Sequence, residues 1–206
     1  PAPPPAVASA PAPAPVAPVV PAPAAPVDTT PAPAPAPAPA NAPAPAGPYD
    51  PAREFERIAA AESPDFPVVA AAAKPQFRVG KDYLSFSVKS DKEGYVYVLL
   101  HGTDDMLLQV FPNAMAKNNR IQAGQTLTLP PPQGKWSLQA GGPVGTDHFI
   151  AIVSAHPRDF SAAGFKVRDG YGQVTRAAAA ELAAGQGSGP SLLAGKPLCD
   201  APCVDA

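Results

Sequence analysis

The hydrophobic positions of the chain follow a helical period first and a strand period later. Residues 49–62 place Phe55 and Ile58 on one side of a helical repeat, with Asp50 in position to cap it and Pro51 at the first helical position. We therefore predict a helix in this segment, followed by an extended lead-in to the core of the fold.

From Phe77 onward, apolar and polar positions alternate, which is typical of half-buried strands. The alternating runs are short and are separated by turn clusters rich in Gly, Pro, Asn, Asp and Ser. The segments predicted as strands are 83–88, 95–100, 106–111, 126–129, 135–140 and 148–154. The first three predict an antiparallel meander, and the last is nearly continuously apolar, as expected for a strand buried on both faces.

We expect one or two peripheral helices beside these strands. Residues 174–184 are rich in alanine, which has the highest helix propensity, and Gly185 follows as a C-cap. Residues 157–163 predict a helical turn. The sequence therefore predicts a mainly β protein, an antiparallel β-sandwich of about six to eight short strands with peripheral helices.

The first 48 residues differ in composition from the rest. They hold more than half of the 32 prolines, mostly alternating with alanine, and one charged residue, Asp28. Proline fixes φ and lacks an N–H donor, so this stretch favours extended polyproline II over a packed core. We predict a disordered Pro/Ala-rich tether at 1–48, with a tail without function as the alternative. The helix and lead-in then occupy 49–74, and the sandwich with its C-terminal helix and cysteine-containing tail occupies 75–206.

Charge and hydropathy narrow the functional classes. The formal net charge is −2 and there is no basic stripe, which argues against nucleic-acid binding. The apolar runs fall far short of the roughly 18 residues that cross a bilayer. Because the chain begins with Pro1 and shows no signal pattern, we expect a piece of a longer protein with an export signal or membrane anchor upstream.

The two cysteines, Cys199 and Cys203, lie four residues apart near the end of the chain. Pro202 between them suits a turn better than a helix. One local disulfide in an oxidising compartment is the favoured interpretation. Free thiols, or half of a metal site whose other ligands are missing nearby, are the alternatives.

No residues stand in a pattern typical of catalysis, a metal site or a cofactor. The histidines His101, His148 and His156 are not at metal-ligand spacing and are interpreted as surface or packed residues. The acids of the turn clusters are candidates for glycoside cleavage or calcium binding, but turn acids usually bond their own backbone. These acids are Asp91, Glu93, Asp104 and Asp105.

Three tyrosines are the candidate partner-binding residues. Tyr83, Tyr95 and Tyr97 fall on the side of their strands opposite the apolar positions. Exposed tyrosines on a sheet suit a protein or glycan partner. The alternative is that a helix, such as the one predicted at 174–184, covers them.

Five motifs occur in an order typical of one bacterial family. They are Gly94-Tyr95-Val96-Tyr97-Val98, Phe111-Pro112-Asn113, Ala123-Gly124-Gln125-Thr126 leading to Pro130, Gly142-Pro143-Val144-Gly145, and Ala151-Ile152-Val153-Ser154. On these motifs, residues 77–160 resemble a bacterial extracytoplasmic domain of unknown function. The family has no assigned catalytic residues.

The resemblance implies a place for the chain in a larger protein. Family members are often found at the C-terminal end of bacterial serine/threonine protein kinases, some encoded with type VI secretion machinery. They also occur beside caspase-like peptidase domains and in exported proteins. In the kinases, the catalytic domain is followed by a membrane span, a Pro-rich linker and this domain outside. The kinase motifs are absent from this chain, so it would be the extracytoplasmic accessory part.

Two functional hypotheses follow. In the first, the chain is a non-enzymatic sensor or docking module in the periplasm, tethered by the Pro/Ala-rich spacer to a membrane anchor, and it binds a protein partner in the cell envelope. In the second, it is a cell-wall glycan-binding module or an envelope hydrolase, for which the turn acids and tyrosines are the support. Neither hypothesis requires a cofactor.

Overall fold

The computed structural model describes residues 48–187 and 189–199. The tether predicted at 1–48 lies outside this part of the chain except for Pro48, and so does Cys203. The tether and the pairing of Cys199 with Cys203 therefore stay predictions. Within the described residues, every helix is too short or too polar to cross a membrane.

The described chain forms two α-helices and thirteen strands, most of them short. The helices are α1 (Pro51–Ala60) and α2 (Arg176–Gln186), with 3-10 turns at Ser161–Ala163 and Leu192–Ala194. The strands are β1 (Val68–Ala72), β2 (Tyr83–Leu84), β3 (Phe86–Ser90), β4 (Gly94–His101), β5 (Met106–Phe111), β6 (Arg120–Ile121), β7 (Thr126–Leu129), β8 (Leu138–Gln139), β9 (His148–Ser154), β10 (Arg158–Asp159), β11 (Lys166–Arg168), β12 (Tyr171–Thr175) and β13 (Lys196–Pro197).

Two antiparallel sheets organise the fold. The small sheet has the order β1-β3-β7, and the large sheet runs β11-β12-β5-β4. Tyr95 of β4 pairs with Arg120 of β6 and also with Ser154 of β9, so β6 lies on the β5 side of β4 and β9 lies on the other side. Among the described strands β9 has no second neighbour, and it forms an edge of the large sheet. The prediction of a mainly β, antiparallel fold is confirmed.

The larger core cluster fills the space between the two sheets. Phe86 and Val88 of β3 and Leu129 of β7 belong to it, together with Val96 and Val98 of β4. All five side chains are almost completely buried. The apolar face that alternation predicted for these strands is therefore the face that each sheet turns toward the other sheet.

The opposite face of the large sheet packs against the helices. Tyr97 and Leu99 alternate with the valines along β4 and belong to a second cluster, which also includes Phe55 of α1 and Ala179 of α2. β4 is thus covered on both faces. The described chain has three layers: the small sheet, the large sheet and a layer of helices and turns.

The helices begin where capping residues allow. The Asp50 carboxylate accepts a hydrogen bond from the N–H of Ala52 at 3.0 Å, so α1 starts as predicted. α2 starts two residues later than the predicted 174, because Val174 still belongs to β12, which pairs with β5, and Thr175 caps the helix. Pairing in the sheet therefore overrides the helix propensity of the segment at this end.

The predicted three-strand meander is wrong in one respect, because β3 does not pair with β4. β3 lies between β1 and β7, in the small sheet. The turn after β3 carries the chain to the other sheet. It is held by the buried Ser90, whose hydroxyl donates to the carbonyl of Lys92 at 2.7 Å and whose own carbonyl accepts the N–H of Gly124 at 2.9 Å. Alternation determines which side chains are buried, but it does not determine the neighbouring strand.

We expect Trp136→Ala to lower the free energy of unfolding by about 3–5 kcal/mol. The Trp136 ring is buried in the larger core cluster and meets Tyr171 edge-on, with 6.0 Å between ring centroids. Urea unfolding followed by circular dichroism measures the change. Tyr83→Ala, which truncates an exposed ring, is the control and should shift stability by less than about 0.5 kcal/mol. Equally small effects of both substitutions would contradict the core position of Trp136.

Candidate functional site

The three tyrosines predicted as a binding face do not share one surface. Tyr83 lies in β2, outside both main sheets, and is 58% exposed. Tyr95 is half-buried in β4, with the guanidinium carbon of Arg120 5.1 Å from its ring centre. Tyr97 is 4% exposed, so its burial contradicts a role in surface contacts. Partner binding by Tyr83 or Tyr95 stays a prediction.

Tyr97 is a structural residue of the second cluster. Its ring packs on Phe160 at 5.0 Å between centroids, and its hydroxyl accepts a hydrogen bond from the N–H of Arg158 at 2.7 Å. The alternative that a helical layer covers this side of the sheet is closer to the structure. The ring contact comes from Phe160, just before the first 3-10 turn, and not from the helix predicted at 174–184.

Two of the histidines meet at one end of the β4–β9 ladder. His101 lies opposite His148, with 6.4 Å between the stacked rings, and an Asp105 oxygen is 3.9 Å from Nε2 of His101. Burial lowers the pKa of His101, and the charge of Asp105 opposes this shift more weakly. His156 lies beyond the other end of β9. In the described ranges, no three His, Cys, Asp or Glu side chains are grouped so that they could hold a metal ion.

The turn acids are engaged in local contacts. The guanidinium of Arg176 donates two hydrogen bonds to Asp105, at 2.8 and 3.1 Å, and these hold the pKa of the Asp105 carboxyl below its usual range. A general acid in glycoside cleavage needs a raised pKa, so Asp105 is unsuited to that role. The other turn acids also have partners nearby: Lys89 for Asp91, Arg120 for Glu93 and the backbone N–H of Met106 for Asp104.

A groove that the sequence analysis missed runs along β9. Its volume is about 570 Å³, and residues 149–153 of β9 all line it. Side chains of a strand alternate between two faces, so a cavity on one face touches every second residue. Lining by five residues in succession therefore means that the groove faces the edge of the strand.

The backbone of β9 presents groups along this edge that have no hydrogen-bond partner in the described part of the chain. Val96 of β4 exchanges hydrogen bonds with Asn119, on the side away from β9. Backbone groups alternate sides along a strand, so the next residue, Tyr97, bonds across to its ladder partner Ile152. The intervening residues of β9 point their N–H and C=O groups into the groove. These are Phe149, Ala151 and Val153.

Two layers flank this edge. One wall is β1, the edge strand of the small sheet, whose Val68 and Ala70 line the groove and whose Cα atoms come within 8 Å of those of β9. The other wall combines the C-terminal end of α1, with Ile58 and Ala61, and the segment that contains Ser191. The groove is therefore a slot in the plane of the large sheet, and we call it the β9 slot.

The charged side chains that line the β9 slot are two arginines and one glutamate. The Glu62 carboxylate accepts the N–H of Val68 at 2.8 Å. The Arg57 side chain, 59% exposed at the rim, donates to the Glu54 carboxylate at 2.6 Å. Arg158 donates from Nη1 to the carbonyls of Ala194 and Gly195. Two guanidinium groups and one carboxylate therefore line the slot.

A second, more polar cavity of about 630 Å³ lies on the helical side of the large sheet. Gln109 and Asn119 line it, and their amide nitrogens donate to the carbonyls of Pro112 and Val96 at 3.2 and 3.1 Å. Their side-chain oxygens remain as hydrogen-bond acceptors. Lys117 adds a positive charge.

One sequence feature points to the β9 slot. The apolar run of β9 indicates the burial of its two faces but says nothing about its edges, because the backbone groups are the same in every residue. The alanines of β1 are the available signal, since small side chains beside β9 leave space there.

Replacing His101 by Gln should reduce the loss of stability in mild acid. Because burial lowers the pKa of His101 in the folded state, the unfolded chain, with an imidazole pKa of about 6.5, binds the proton more readily. Stability therefore falls as the pH drops below about 6.5, until the folded-state pKa is passed. Thermal melts of His101→Gln at pH 7.5 and 5 should differ less than those of the wild type. His156→Gln is the control, and an unchanged loss in His101→Gln would contradict this account.

The central part of the chain matches a known family. Residues 76–157 match the family described as "Domain of unknown function (DUF4384)". No curated protein and no solved structure matches the chain significantly. The matched segment contains β2 to β9, and so most of the core between the sheets and the floor of the β9 slot. Residues 76–157 of this chain are therefore similar to a domain family whose function is unknown.

Proposed function

We propose that the protein is a non-enzymatic docking module that binds a segment of a partner protein in the β9 slot. The observation that carries this proposal is the open edge of β9, with unpaired backbone groups at the floor of a largely apolar groove. Ligand sites typically combine apolar walls with a few polar groups in a cavity of this size. Capture of a partner segment would also suit a sensor, because occupation of the slot changes with the supply of the partner.

We further propose that the module works in the periplasm, as the accessory domain of a membrane-anchored serine/threonine kinase of the kind encoded with type VI secretion machinery. The support is the order of the family motifs, the Pro/Ala-rich composition of the first 48 residues and the closely spaced cysteines. A spacer of this composition holds a domain away from its anchor. The family match assigns no function by itself.

Glycan binding is the second candidate, and the polar cavity favours it. The side-chain oxygens of Gln109 and Asn119 can accept hydrogen bonds from sugar hydroxyls. Cleavage of the glycan has less support, because Asp105 is held ionised by Arg176.

Filling the β9 slot should abolish binding of peptides that are selected on this protein. Ala61 and Ala70 are exposed residues of the slot wall, so the double substitution Ala61→Arg with Ala70→Arg occupies the slot and leaves the core intact. Peptides selected from a displayed random library on the wild type should bind the double variant at least about tenfold more weakly. Fluorescence anisotropy measures the affinities.

The matched control places the same charges on neighbouring exposed residues outside the slot. Ala60→Arg with Ala71→Arg should keep the wild-type affinity and the same melting temperature. Selected peptides that bind all three proteins equally would contradict the proposed site. Purified peptidoglycan retained equally by all three proteins, with no peptide selected, would favour glycan binding.

If the protein works outside the cytoplasm, Cys199 and Cys203 should be joined by a disulfide in cells. Acid-quenched cells that produce the natural protein are treated with a maleimide reagent. The chain should gain mass only after reduction. A Cys203→Ser variant should be labelled without reduction and shows that Cys199 is accessible. Labelling of both cysteines without reduction would argue against the proposed compartment.

A further inference from the structure

We infer that the ligand of the β9 slot is an extended peptide that adds to β9 as an antiparallel strand, with apolar side chains toward β1 and acidic side chains toward α1. The inference rests on the proposed docking function and names the chemistry of its ligand. Addition of a strand to a sheet edge gives affinity through backbone hydrogen bonds and specificity through alternate side chains.

The unpaired groups of β9 determine the backbone of the ligand. Phe149, Ala151 and Val153 each point one N–H and one C=O into the slot, and β4 is the one strand that pairs with β9 in the described part of the chain. An extended peptide presents the same two groups on every second residue. An apolar small molecule would bury these groups without partners, which costs free energy at each of them.

The neighbouring edge of the small sheet is less available. Ala73 donates its N–H to Ser85 across the small sheet, so the residues of even number in β1 point their backbone groups outward. The first of these donors, the N–H of Val68, already binds the Glu62 carboxylate at 2.8 Å. Of the two strand edges at the slot, that of β9 therefore offers the longer row of backbone groups without partners among the described residues.

The recess of the edge favours a single strand over a second folded copy. β1 lies on one side of the β9 slot and the end of α1 on the other, so the edge of β9 is set back between two layers. Two folded sheets pair edge to edge where both edges are prominent. In two copies of this protein the flanking layers would meet first, whereas a lone peptide has the width of one strand, about 4.8 Å.

The direction of the added strand decides which of its side chains face which wall. We choose the antiparallel direction because it is the more stable pairing per residue. Ligand residues opposite Phe149, Ala151 and Val153 then carry the hydrogen bonds, and their side chains lie on the same side as these three. That side meets Phe66 and Val68, which are apolar.

The intervening ligand residues face the other wall, where the charges favour acidic side chains. Arg57 stands at the rim of that wall, where its exposed guanidinium also contacts Glu54, and Arg158 lines the wall. The one carboxylate of the lining, that of Glu62, is engaged by Val68. Acidic groups on the ligand would complement these two guanidinium groups, and complementary charges mainly improve selectivity and the rate of association.

The test uses a synthetic heptapeptide of alternating valine and glutamate with blocked ends. N-methylation of its central valines removes donors that face β9 and should weaken binding at least about tenfold. N-methylation of its glutamates, whose N–H groups point away from β9, should change the affinity by less than about threefold. Isothermal titration calorimetry measures the affinities of the three peptides.

Hydrogen exchange tests the edge in the free protein. The amides of Phe149, Ala151 and Val153 should exchange at least about tenfold faster than those of Ile150 and Ile152, which bond β4. Saturation with the heptapeptide should remove this difference. Equal protection of all five amides in the free protein would overturn the assignment of an open edge.

Charge reversal tests the side-chain register. Arg57→Glu should weaken binding of the valine–glutamate heptapeptide about fivefold or more. It should strengthen binding of a second heptapeptide in which lysine replaces each glutamate. Arg53→Glu is the matched control, because its side chain is 80% exposed on the same helix and does not line the slot. Equal effects of the two substitutions would overturn the proposed placement of the acidic side chains.

The remaining outcomes separate this inference from the proposed function. Loss of binding on N-methylation of the glutamates, or tolerance at every position, would overturn antiparallel strand addition. So would failure of the heptapeptide to bind, or a stable dimer that protects the β9 edge. In each case the docking function would still stand if library-selected peptides bound the Ala61→Arg, Ala70→Arg double variant more weakly than the wild type.

Discussion

The two-sided burial of β4 is the constraint on which the rest of the structure depends. Its residues 96 to 99 are at most 4% exposed, and they alternate between the two core clusters. A strand of this kind needs an apolar layer on each face, so the small sheet and the helical layer are both required. Gly94 allows the close approach of β9 at one end, because a Cβ there would lie 2.7 Å from the carbonyl oxygen of Ser154.

The motifs on which the family resemblance rests serve this scaffold. Asn113, in the Phe-Pro-Asn motif, folds the turn after β5: its side-chain oxygen accepts the N–H groups of Met115 and Ala116, and its amide donates to the carbonyl of Val110. Gly124, in the Ala-Gly-Gln-Thr motif, has a φ of 75°, which glycine adopts without strain. The motifs therefore identify a fold and leave the ligand to be inferred from the slot.

Sequence reasoning was most accurate where a local interaction decides the structure, as at the Asp50 cap of α1 and in the alternation of Val96 with Tyr97. It failed where the decision lies with a distant segment. Tyr83 and Tyr97 each alternate with apolar residues in the sequence, which predicts the same exposure for both. Tyr83 is nevertheless exposed, because β2 pairs only with β8 among the described strands, whereas β4 lies inside the large sheet and buries Tyr97. The open edge of β9 was missed for a related reason, since backbone donors and acceptors are identical along the chain and pairing is a property of the neighbours.

The edges of the two sheets are protected in different ways, and the differences bear on function. Unpaired edges invite aggregation, and proteins usually block them with charges, prolines or a covering segment. β11 is an exposed edge with Lys166 and Arg168, the small-sheet edge β7 runs into the prolines from residue 130, and Glu62 occupies the first outward donor of β1. Residues 149–153 of β9 have neither charge nor proline. In the described structure their edge is protected because it is set back between two layers. A recess excludes another folded sheet but admits a single extended chain, which is the property that a strand-binding site needs.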